Sequence, residues 1–151
     1  MIKILFVCHG NICRSTMAEF LFRHMVDQKG ISHHFDISSR ATSTEELGNP
    51  VHPRTARILS SLGISTAGKR AQQITAEECN AADRIVVMDR NNIRNLQRFI
   101  GNNQSKVSTL LSYAGLNRDI SDPWYTGNFD ETYRDVELGC RKLLEALIPE
   151  L

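Results

Sequence analysis

The apolar run from Ile2 to Cys8 constrains this chain more than any other stretch. It reads as a central strand buried on both faces. Such a strand needs helices above and below it, which points to an α/β fold with a parallel sheet. The period then changes. Ala18, Leu21, Phe22 and Met25 recur at i, i+3, i+4 and i+7, one face of a helix that Gly30 can end. Thr16 and Glu19 have the spacing of a capping box at its start.

Strand and helix patterns keep alternating. A second strand is expected at Phe35–Ala41, a third at 84–88 around Ile85-Val86-Val87-Met88, and a fourth at 106–110. Helices are expected at 53–62, opened by Pro53 and closed by Gly63, and at 76–82, 91–100 and 131–147. The expectation is a three-layer sandwich: a central four-stranded parallel sheet with helices on both faces. A length of 151 residues suits one domain spanning 1–151. Residues 112–130 hold Gly115, Asp122-Pro123, Gly127 and Asn128 and read as a long loop, which in a compact domain is usually functional.

A net charge of +1 gives no general affinity for nucleic acid or membranes, so any anion recognition must be local. The run Ile4-Leu5-Phe6-Val7 is too short for a signal-peptide core or a membrane span. A cytoplasmic location is expected, with the four cysteines as reduced thiols.

Placement then singles out the loop Cys8-His9-Gly10-Asn11-Ile12-Cys13-Arg14-Ser15. In open α/β sheets, ligands bind beyond the C-terminal strand ends, against helix N-termini. Six residues, His9 to Arg14, must curl between strand and helix, so their N–H groups can converge into a nest for an oxyanion. Gly10 and Asn11 tolerate the positive φ that such a curl needs. An ordinary thiol, with a pKa near about 8.5, is mostly protonated at neutral pH. A ring of donors, a helix start and the Arg14 guanidinium stabilise the thiolate and hold a phosphate dianion equally well. Ser15 is placed to donate its hydroxyl to Cys8. Asp122, stiffened by Pro123, is the candidate acid for a phenolate leaving group and then the base for water. Trp124 and Tyr125 can wall a slot for a planar ring. No metal or cofactor is called for, because Arg14 and the backbone donors neutralise the transferring charge.

These residues, with Gly48-Asn49-Pro50 and Met88-Asp89 in order between them, resemble the low-molecular-weight protein tyrosine phosphatase family over essentially the whole chain. The resemblance implies a phosphocysteine intermediate at Cys8, phosphate binding by Arg14 and general acid catalysis by Asp122. It also implies that Asn11, Ser15 and Ser39 brace the loop. The expected partners are phosphotyrosine proteins or aryl phosphates, and the expected state is a monomer or weak dimer. Two departures stand out. Many members carry a histidine before the Gln-Ile-Thr stretch; the segment Gly68-Lys69-Arg70-Ala71-Gln72-Gln73 has none. The aromatic pair after Asp-Pro is Trp124-Tyr125, often two tyrosines elsewhere. Relatives acting on phosphoarginine tend to carry threonine at the loop position of Ile12, so isoleucine favours a phenyl ring.

Other readings stand beside these. Cys13 is either a protective disulfide partner for Cys8 or inert packing, and a Cys8-His9-Cys13 metal site lacks a fourth ligand. Cys79 and Cys140 read as core. His24, His33, His34 and His52 read as solvated, as does the stripe Arg90, Arg94, Arg98. Asp89, at the active edge of the third strand, either orients the loop or caps the following helix, and the cap is the favoured reading. A thiol-dependent arsenate reductase would need two further cysteines close together on a mobile segment. A non-enzymatic phosphate-binding module would not need the nucleophile, arginine and acid together.

Overall fold

The computed structural model describes all residues, 1–151. Four parallel strands are ordered β2-β1-β3-β4: β1 (Ile2–Cys8), β2 (Phe35–Ala41), β3 (Arg84–Val87) and β4 (Val107–Thr109). β1 is central and its alternate residues separate two cores, as a pleat requires. Ile4, Phe6 and Cys8 pack with Met17, Leu21 and Phe22 of α1 (Arg14–Gln28) and Val136, Cys140 and Leu143 of α6 (Phe129–Leu147). Leu5 and Val7 pack on the other face with Cys79 of α3 (Ala76–Ala81) and Leu96 and Ile100 of α4 (Arg90–Ile100). Phe6, Phe22 and Phe35 interlock edge to face, with centroids 5.8 and 5.5 Å apart. The expected three-layer sandwich is therefore the fold.

Differences lie at the element ends. The Thr16–Glu19 capping box does not form: Cys13 is the N-cap residue, and Thr16 Oγ1 donates to the Cys13 carbonyl. Glu19 is buried and faces β2 instead. The 112–130 stretch is not wholly loop. A 3-10 turn covers Leu110–Ala114, and Pro123–Thr126 forms the one-turn helix α5. α2 (Pro53–Ser61) starts at the proline, as expected. No helix is long and apolar enough to cross a membrane.

Candidate active site

The C-terminal strand ends gather the chemistry. β1 delivers Cys8, the chain after β2 delivers Glu45 and Glu46, the turn after β3 delivers Asp89, and the segment after β4 delivers Ile120 and Asp122. One pocket is lined by every residue from Cys8 to Arg14 together with Glu45, Glu46, Asp122, Trp124 and Tyr125. Sequence reasoning named all of these except Glu45 and Glu46. Nothing in their spacing flagged two glutamates in a surface loop.

The loop curls around Cys8. Asn11 takes the left-handed conformation (φ 60°) and its N–H points at Cys8 Sγ, 3.3 Å away. Gly10 does not use positive φ, contrary to expectation. Its missing side chain makes room instead: a Cβ there would lie 3.3 Å from Glu46 Cγ. The N–H groups of Gly10, Ile12 and Cys13 donate to no protein acceptor. Buried main-chain donors are rarely left so, and this set opens onto a pocket suited to an anion. Ser15 Oγ sits 3.0 Å from Cys8 Sγ.

Arg14 is 2% exposed. Its Nη1 donates to Asp89 Oδ2 at 2.6 Å and to the Ile120 carbonyl at 2.8 Å, and its Nη2 reaches Asp122 Oδ2 at 3.4 Å. Burial works against the cation, but the charges of Cys8, Asp89 and Asp122 outweigh it and raise its pKa. Asp89 thus does two things, since Oδ1 also caps α4 through the Asn92 N–H. Asp122 caps α5 by accepting the Trp124 N–H at Oδ1, which leaves Oδ2 facing Arg14.

The expected wall residues line the pocket but differ in burial. Trp124 and Tyr125 are 59% and 82% exposed. Ile12 is largely covered by Cys13, Ala71 and Phe129. Cys13 is buried in that cluster, and burial, with the charges of Cys8 and Asp122, pushes its thiol up to about 12. His52 is not simply solvated. Its Nδ1 accepts the Arg54 N–H to cap α2, its backbone N–H donates to the Ile12 carbonyl, and its ring stacks on Phe129 at 4.7 Å. Arg98 likewise leaves the solvated stripe to donate to the Thr42 carbonyl.

The loop's brace is present. Asn11 Nδ2 donates to Ser15 Oγ (2.8 Å) and Ser39 Oγ (2.9 Å), and Ser39 Oγ donates to buried Glu19. Where the family's histidine was missed, Lys69 donates to the Ser39 carbonyl and pairs with Glu19. Glu19 was legible only as a cap, and Lys69 not at all. All four cysteines are free and buried. Cys79 and Cys140 lie in separate cores on opposite faces of the sheet, so they cannot supply the adjacent pair a disulfide relay needs. No group of three or more His, Cys, Asp or Glu side chains is placed to hold a metal ion.

Comparison with known proteins identifies the family and the fold. The family described as low molecular weight phosphotyrosine protein phosphatase matches residues 3–150. The Bacillus subtilis low molecular weight protein-tyrosine-phosphatase YfkJ is 39% identical, the match covering 99% of this chain and 98% of the relative. Its crystal structure superposes with a TM-score of 0.95, covering 99% of this chain and 96% of that one. The Streptococcus pyogenes enzyme SP-PTP is 41% identical with a TM-score of 0.87, covering 98% and 94%. Staphylococcus aureus PtpA is 33% identical, covering 99% and 96%. The chain belongs to the low molecular weight phosphotyrosine protein phosphatase family.

Proposed function

We propose that this chain hydrolyses phosphotyrosine in proteins through a phosphocysteine at Cys8. One observation carries the reading. Cys8 Sγ lies at a strand end under the Asn11 N–H and Ser15 Oγ, in a pocket that also holds the buried Arg14 fork and the Asp122 carboxyl. The Cys8 thiolate attacks phosphorus while Arg14 and the free N–H groups of Gly10, Ile12 and Cys13 hold the phosphoryl oxygens. The P–O bond to tyrosine breaks, and its electron pair leaves on the phenolate oxygen, which takes the proton of Asp122. Phosphate binding engages the Arg14 fork, which frees the Asp122 carboxyl for that task. Asp122 then removes a proton from water, water attacks phosphorus, the S–P bond breaks and phosphate leaves.

Trp124 and Tyr125 at the mouth, with Ile12 in the pocket lining, support an aromatic phosphoester over phosphoarginine. The test is hydrolysis of aryl phosphates and phosphotyrosine peptides. Cys8→Ser should abolish turnover, and activity surviving in it would overturn the reading. Asp122→Ala should slow turnover by about 100-fold to 10,000-fold, the range for a lost general acid, and most for poor leaving groups such as tyrosine.

A further inference from the structure

Asn11 fixes the direction of a hydrogen-bond chain that ends at Cys8. Its Oδ1 accepts the Gln72 N–H at 3.2 Å, so Nδ2 must be the side that donates to Ser15 and Ser39. Each serine hydroxyl has one proton. Ser39 Oγ, already accepting from Asn11, gives its proton to Glu19 Oε1. Ser15 Oγ, also accepting from Asn11, lies 3.0 Å from Cys8 Sγ, and to a thiolate, which can only accept, it turns its one proton. The Asn11-to-Ser15 direction follows from the Gln72 contact; Glu19 adds an acceptor for the Ser39 proton, which leaves a Ser39 lone pair for Asn11 Nδ2.

Glu19 is 2% exposed, so its carboxylate needs a cation beside it. Lys69 Nζ lies 3.3 Å from Oε1, the oxygen that serves Ser39, and donates to the Ser39 carbonyl at 3.0 Å. Arg23 binds the other oxygen, Oε2, and its side chain is half exposed. Arg40 on β2 also faces Lys69: its Nε binds Glu78 and its Nη1 shares the Ser39 carbonyl at 2.7 Å, but it makes no contact with Glu19. We propose that Lys69 is a positioning residue: bound to both the Glu19 carboxylate and the Ser39 carbonyl, it holds Ser39 and Asn11 in the register that turns the Ser15 hydroxyl to the Cys8 thiolate. The inference rests on the reading of Cys8 as the nucleophile. Burial, and the charges of Arg40 and Arg23, lower the Lys69 pKa from its ordinary 10.5 while Glu19 opposes them. The ordinary lysine value lies well above the roughly 6.5 of an imidazole.

Alkylation of Cys8 by iodoacetamide against pH reads the thiolate without any turnover, so it separates this inference from the phosphatase reading. Lys69→Met should move the alkylation midpoint to higher pH and lower kcat about tenfold with KM little changed, the scale of one lost charge-assisted hydrogen bond. Lys69→Arg should restore both. Lys69→His should restore both at low pH and lose them as pH rises through the imidazole range, adding a transition that wild type lacks. A folded Lys69→Met with the wild-type midpoint and kcat, and only a lower Tm, would overturn the proposal. Should Lys69→Met not fold, a Lys69→His profile parallel to wild type would overturn it equally.

Discussion

His52 shows how much one side chain can carry with little trace in the sequence. It precedes Pro53, and the residue before a helix-opening proline is the N-cap, so its position was legible while its role was not. Histidine is an unusual cap, and it serves only while Nδ1 is unprotonated. Burial and then the Arg54 charge lower its pKa from the ordinary 6.5, with Glu46 pulling the other way. The unfolded chain therefore takes up the proton first as pH falls. The stability from this cap is complete above 6.5 and declines as pH drops below it. His52→Asn keeps an acceptor that does not titrate. Between pH 7 and 5 the Tm of wild type should fall further than that of His52→Asn, by the equivalent of less than about 1 kcal/mol. Parallel Tm curves would show that the cap survives protonation. Asn11 was legible for the opposite reason: a left-handed loop residue that must also hydrogen-bond belongs to a very short list of residue types.

At the scale of elements, continuous apolar runs and helical periods marked the strands and helices. The short elements were hidden by their loop-like composition. α5 is one turn built by an Asp-Pro start and a glycine end, signals shared with any turn. Glu19 matched a capping pattern because local spacing says nothing of a partner 20 residues away on β2. Gly139 is another contact that spacing cannot reveal. It sits inside α6, where alanine would normally gain about 0.5–1 kcal/mol. A Cβ there, however, would lie 2.4 Å from Leu110 Cγ, and Leu110 is fully buried. Gly139→Ala should therefore lower stability, by about 1–3 kcal/mol as for other overpacked cores. Urea unfolding checks this, and the loss should be smaller when measured in a Leu110→Ala background. A gain in stability from Gly139→Ala would mean that the α6 and Leu110–Ala114 contact is loose.

Across the whole molecule, the net charge of +1 conceals a local arrangement. The cation that meets the pocket from below, Arg14, is buried, whereas the mouth carries Glu45 and Glu46. Glu45 Oε2 pairs with His9 Nε2 at 2.9 Å, and Glu46 is held by the Asn49 amide at 2.6 Å with its stem over Gly10. Both carboxylates are thus fixed beside the phosphate loop while remaining in contact with solvent. On the proposed function, Arg14 would hold a phosphate at the pocket floor, and residues flanking a phosphotyrosine would lie at the mouth beside these two glutamates. Unit charges about 8 Å apart in water interact by about 0.5 kcal/mol. Two glutamates acting on one flanking residue, changed from acid to base, then give about 1 kcal/mol after screening, or about a fivefold difference in rate. Phosphotyrosine peptides with a neighbouring lysine or arginine should have the higher kcat/KM, with the difference mostly in KM. The preference should shrink when both Glu45→Gln and Glu46→Gln are introduced, and again in 0.5 M salt, where the screening length is only about 4 Å. Aryl phosphates without flanking charge should be little affected by the same two substitutions. A preference for acid-flanked peptides in wild type would place the decisive charges elsewhere on the surface.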